Sequence, residues 1–138
     1  EARGRGGALV DLNRDGLLDL VVVQRRAPMK LYQNVTEHAG NWLQVRLSQA
    51  EGNTGAIGAR IELETDDGRQ FRELVIGGGH AGGQVGYEHF GLGRAETVRF
   101  RVRWPDGETG TWHEMRANQH VLLRHGDAPV ADVPSGED

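Results

Sequence analysis

Residues 97–105, TVRFRVRWP, alternate without a break: Val98, Phe100, Val102 and Trp104 face one way, and Arg99, Arg101 and Arg103 the other. A period of two is the signature of a strand with one buried face. ARIELETD, 59–66, repeats it with Ile61, Leu63 and Thr65, and NWLQVRL, 41–47, sets Trp42 or Leu43, Val45 and Leu47 against Gln44 and Arg46. LDLVVVQ, 18–24, is instead a continuous β-branched run of strand length, followed by a RRAP turn and a second short strand, MKLYQN, at 29–34. These two segments are expected to form a hairpin. DDGR, 66–69, is a hairpin turn leading into a return strand, RQFRELVIGG, 69–78. PDGETG, 105–110, is another tight turn, with TWHEM and QHVLLRH as short strands after it. Six or seven strands between 41 and 125 match the spacing of a β-sandwich. No amphipathic helix longer than two turns is predicted, so the fold class is all-β. The tail from Gly126 is acidic, contains proline and has no pattern; 126–138 is expected to fray as a flexible tail.

Composition sharpens this picture at a few points. Glycine supplies 21 of 138 residues, which suits many tight turns. Cysteine is absent, so no disulfide staples the fold. The chain carries 16 basic and 20 acidic residues, for a net charge of −4, and its arginines alternate with apolar and acidic residues. That is not the clustered basic field of a nucleic-acid partner. No apolar run reaches the ~20 residues of a membrane span. The chain starts at Glu1 rather than Met, which suggests a piece of a longer polypeptide with any export signal upstream. The Arg-, Gly- and Ala-rich composition suggests a bacterial source.

The candidate chemistry lies in DLNRDGLLDL, 11–20. Calcium takes six to eight oxygen ligands, and a tightly curled loop with alternating acids supplies them. Here Asp11, Asn13 and Asp15 would give side-chain oxygens, Gly16 the sharp bend, Leu17 its carbonyl, and Asp19 the closing carboxylate. A helix-flanked calcium loop needs an acid at the twelfth place. That place is Val22, inside the apolar run, so the expectation is a shorter loop set between two strands. A solvated acidic turn without an ion is the alternative. Against it, three carboxylates crowded into one turn repel each other unless a cation joins them. Magnesium is less suited, because it tolerates irregular cages poorly.

Other chemistries find little to use. His80 lies in the loop GGGHAGG, His89 precedes HFGLG, and His113, His120 and His125 fall on the last strands, with no HExxH spacing. GGGHAGG has neither the lysine nor the helix of a phosphate loop. Ser48 and Ser135, the only serines, lack a nucleophile-elbow context. Trp104 belongs to a buried strand face. Trp112 sits among polar residues and is the candidate aromatic for stacking on a sugar or other ligand. Asn34-Val35-Thr36 is a glycosylation sequon, relevant only in a eukaryotic secretory pathway.

The stretch GGALVDLNRDGLLDLVVVQRRAPMKLYQN resembles an FG-GAP or VCBS-type calcium-binding propeller repeat. NWLQVRL, GAIGARIELE, FRELVIGGG, HFGLG, VRWPDG and ANQHVLL, in that order, resemble the ASPIC/UnbV domain that follows such repeats in the cartilage-acidic-protein family. The family's serine before HFGLG is missing here, while Gln84 is kept. The resemblance implies that residues 1–34 are the C-terminal part of a propeller blade. It implies that 41–125 form a small transthyretin-like β-sandwich, and that the rest of the propeller in the same polypeptide is the partner. It implies a secreted or cell-surface, calcium-dependent binding or adhesion scaffold without catalysis, whose outside partner is a glycan or an extracellular protein. The alternatives are an accessory region of an enzyme whose active site lies in the propeller, or a carbohydrate- or matrix-binding module.

Overall fold

The computed structural model describes residues 3–78 and 82–133, and these form strands, turns and loops with no helix. They therefore contain no helix long and apolar enough to cross a membrane. The chain divides into two compact units. One comprises residues 1–39 and 75–85, the other 40–74 and 86–138.

The first unit is a three-stranded antiparallel sheet in the order β1-β2-β3, with β1 at Arg3–Val10, β2 at Asp19–Arg25 and β3 at Lys30–Tyr32. The expected hairpin is β2–β3, with Leu20 opposite Tyr32 and Val22 opposite Lys30. Val10 opposite Asp19 closes the β1–β2 pairing, so the whole acidic segment is the connection between two strands. Residues 75–85, inside the expected 41–125 segment, cluster with this unit. Within it the Gln84 side-chain amide donates to the Leu9 carbonyl at 2.8 Å, and Gly77 pairs with Gly83.

The second unit is a small β-sandwich. One sheet has the order β11-β10-β4-β7, from Val130–Ala131, Gln119–Arg124, Asn41–Ser48 and Glu88–Gly93. The other has the order β6-β5-β8-β9, from Gly68–Glu73, Arg60–Thr65, Thr97–Arg103 and His113–Arg116. The seven strands β4 to β10 fall within the expected span. The alternation seen along the chain is the cause of the core. Val98, Phe100, Val102 and Trp104 are all buried, and they share one apolar cluster with Ile61, Leu63, Leu43, Val45, Leu47 and Phe90. Removing this apolar area from water is the main force holding the two sheets together.

Three local expectations change. The return strand β6 stops at Glu73 rather than Gly78, because Leu74 turns inward, donating to Ala59 and accepting from Gly58. The tail is ordered at its start: Val130–Ala131 pairs with β10, the Asp132 amide donates to the His120 carbonyl at 2.7 Å, and the Tyr87 hydroxyl donates to Asp132. Gln44, expected on the outer face, is 3% exposed, flanked across the sheet by His120 on β10 and His89 on β7. Residues 134–138 of the expected flexible tail, and His80 of the glycine loop, lie outside the described residues.

Candidate functional site

The acidic loop is held by its own side chains. Asp11 accepts from the backbone amides of Asp15 at 3.0 Å and Gly16 at 2.9 Å. Asp15 accepts from the Leu17 amide at 2.8 Å and from the Asn13 side-chain amide at 2.7 Å. Gly16, at φ 89°, makes the bend that its place in the sequence predicts, and Arg14 adopts φ 61° beside it. Such left-handed conformations cost an ordinary side chain free energy, so the carboxylate hydrogen bonds must hold the curl.

Asp19 is more buried than the other ligand candidates. It is 2% exposed, and its two oxygens accept the Leu12 amide at 3.1 Å and the Asn34 amide at 2.8 Å. Asn34 donates in turn to the Leu18 carbonyl at 3.2 Å. One carboxylate therefore ties the start of the loop, the first residue of β2 and the exit of β3. Asn34, the acceptor residue of the sequon, has its side-chain amide engaged within this knot. Asp11, Asn13 and Asp15 share one network, but Asp11, Asp15 and Asp19 do not bring three carboxylate oxygens within 4.8 Å of one another. The donor types suit a hard divalent cation: carboxylate, amide and carbonyl oxygens on one short loop. Asp11, Asn13, Asp15, Asp19 and the Leu17 carbonyl are the groups that would hold calcium.

Trp112 is half-buried, and the guanidinium groups of Arg99 and Arg101 lie 4.9 and 4.6 Å from its ring centre. These arginines are fixed from the other side: Arg99 pairs with Glu64 and Arg101 with Glu62, each at 2.6 Å. The hydrogen bond from Arg99 holds the Glu64 carboxyl below its ordinary range, opposed by desolvation and assisted by Arg69. The ring that sequence marks as a ligand platform thus carries cations. Glu88, on β7, is shifted the other way: burial raises its pKa, with Arg72 opposing.

A second group of donors was not legible as a site. Asp106 and Glu108, on the turn after β8, meet His125, just beyond β10. The imidazole Nε2 is 3.3 Å from Glu108 and 3.9 Å from Asp106, and one ligand atom from each residue falls within 4.8 Å of the others. Sequence places these residues in a turn and on the last strand, and the i, i+2 acids Asp106 and Glu108 are the only local hint.

The ASPIC and UnbV family profile matches residues 49–130. Cartilage acidic protein 1 of Mus musculus is 33% identical over 112 residues, covering 78% of this chain and 17% of that protein. The Xenopus tropicalis protein of the same name is 32% identical over 115 residues, covering 80% and 18%. The Homo sapiens one is 32% identical over 112 residues, covering 78% and 17%. The chain thus spans less than a fifth of the length of these curated relatives. They are animal proteins, and the bacterial source expected from composition gains no support from them. No solved structure matches. The profile match takes in most of the sandwich unit, and with it the chain belongs to the ASPIC and UnbV family.

Proposed function

We propose that this chain is a non-enzymatic, calcium-stabilised module at the end of an exported propeller protein, serving binding or adhesion. The observation that carries this reading is the position of the acidic loop. It joins β1 to β2, and through Asp19 and Asn34 it reaches the exit of β3. An ion held by Asp11, Asn13, Asp15, Leu17 and Asp19 would lock all three strands with one set of bonds. In a chain without cysteine it takes the place of a covalent staple.

The first sheet also supports a partner within the same polypeptide. Leu9, Leu20 and Tyr32 are cross-strand neighbours on one face, at 49%, 40% and 50% exposure. Val23 and Leu31 occupy the opposite face at 51% and 56%. An antiparallel sheet bordering solvent keeps one polar face. A sheet apolar on both faces suits packing between layers, as in successive propeller blades. The relatives' name, cartilage acidic protein, fits an extracellular setting, where calcium is plentiful enough for a weak site. A glycan-stacking role for Trp112 is less well supported, because Arg99 and Arg101 occupy its ring.

Calorimetric titration of calcium into the chelator-stripped chain tests the proposal. One saturable site, lost in Asp15→Asn, is the expected result. Absence of heat at millimolar calcium would remove its basis.

A further inference from the structure

We propose that Asp106, Glu108 and His125 form a second metal site, independent of the acidic loop, for a divalent ion of the zinc class. The three donors come from opposite sheets of the sandwich. Asp106 and Glu108 leave β8, and His125 follows β10. The fold brings together side chains that are far apart in sequence.

Their separations suit a small ion. Zinc binds nitrogen and oxygen ligands at about 2.0–2.2 Å, so neighbouring ligands of a tetrahedral site lie about 3.4 Å apart. The imidazole Nε2 is 3.3 Å from the Glu108 carboxylate and 3.9 Å from that of Asp106. One ligand atom from each of the three side chains lies within 4.8 Å of the others. Imidazole beside two carboxylates selects zinc, cobalt or nickel over calcium, which prefers oxygen throughout.

The donors are also held in place. The imidazole packs against the Trp104 ring at 4.4 Å between centres, and the His125 amide donates to the Ser48 carbonyl at 2.8 Å. On the other side, the Trp104 amide donates to the Glu108 carbonyl at 2.7 Å, the Gly107 amide donates to the Trp104 carbonyl at 2.9 Å, and Gly107 turns at φ 93°. The Asp106 Oδ1 accepts the Glu108 amide at 2.9 Å, leaving Oδ2 toward His125. Fixing ligand orientation before the ion arrives lowers the cost of binding. Three protein ligands leave a fourth position open. A cavity of about 230 Å³, whose lining includes Glu108, Thr111, His113, Arg124 and His125, adjoins these donors and has room for water or a small exogenous ligand.

The test is titration of zinc into the full, metal-stripped chain in buffer containing excess calcium, followed by calorimetry, with cobalt as a coloured substitute. One zinc per chain and visible cobalt bands are expected in the wild type. Losing an outer-sphere partner alone weakens metal sites by about 10–100-fold, so His125→Ala must weaken zinc by more than tenfold and abolish the cobalt bands. Glu108→Gln, on an exposed turn, must weaken zinc in the same direction and guards against a folding defect in the histidine variant. Asp15→Asn must leave zinc binding unchanged, which separates this site from the calcium loop. The proposal is overturned if wild type takes up no zinc below about 1 mM. It is equally overturned if either Glu108→Gln or His125→Ala binds zinc as wild type does, or if Asp15→Asn removes the binding.

Discussion

Replacing Asp19 with asparagine removes one charge and keeps the side chain's shape. The wild-type carboxylate is 2% exposed and accepts two backbone amides, Leu12 at 3.1 Å and Asn34 at 2.8 Å. The asparagine oxygen can serve only one of them, and its amide nitrogen then meets the other donor head-on. A hydrogen bond to a charged acceptor contributes about 1.5–3 kcal/mol, and an unsatisfied buried donor costs about 1–3 kcal/mol. Removing a buried charge returns part of this, so a local loss of about 2 kcal/mol is expected. That corresponds to a roughly 30-fold larger population of the opened loop. Amide hydrogen exchange at Leu12 and Asn34, resolved by NMR, reads it directly. Trp42, Trp104 and Trp112 all belong to the sandwich unit, so unchanged tryptophan emission verifies that the rest of the protein is intact. If Leu12 and Asn34 exchange no faster in the variant, Asp19 is not the tie between loop and strands.

Phe100→Ala removes a fully buried ring from the centre of β8; urea unfolding followed by tryptophan fluorescence should show a loss of about 3–5 kcal/mol. Glu88→Gln should raise the thermal midpoint at neutral pH. Burial lifts the folded-state pKa of Glu88, so the wild type is favoured in acid and loses that benefit as pH rises through the folded value. The advantage of the variant should therefore fade in acid, and a difference that grows there would contradict the assignment. Glu64→Gln should do the opposite. The arginines depress its folded-state pKa, so its contribution is present above the ordinary carboxylate range and disappears as pH falls through the folded value. A pH series of melts compares the two.

The strands that alternate cleanly were legible because one face of each is buried. Val98, Phe100, Val102 and Trp104 show this, as do Ile61 and Leu63. The parallel pairing of β10 with β4, Gln119 opposite Leu43, was not legible, since pairing across so many residues leaves no local mark. For the same reason His120, 9% exposed and packed edge-on against Trp42 and Tyr87, read as an ordinary strand histidine. Val130–Ala131 was too short to carry a period. At the acidic loop the residue types and the bend at Gly16 were readable, because a turn is a local structure. The separate duty of Asp19 was not, because it depends on Asn34 arriving from beyond β3. The convergence of Asp106 and Glu108 with His125 likewise depends on how the two sheets stack.

Calcium bound by the loop from Asp11 to Asp19, as proposed, would hold the first sheet together. The direct measurement is the thermal midpoint of the chain by far-ultraviolet circular dichroism, with calcium and with chelator, in wild type and Asp15→Asn. Free calcium at a hundred times its dissociation constant would add about 2.7 kcal/mol. A calcium-held loop requires a midpoint several degrees higher with calcium in the wild type and no such rise in Asp15→Asn. Equal midpoints for the wild type with and without calcium, or an equal rise in both proteins, would contradict it.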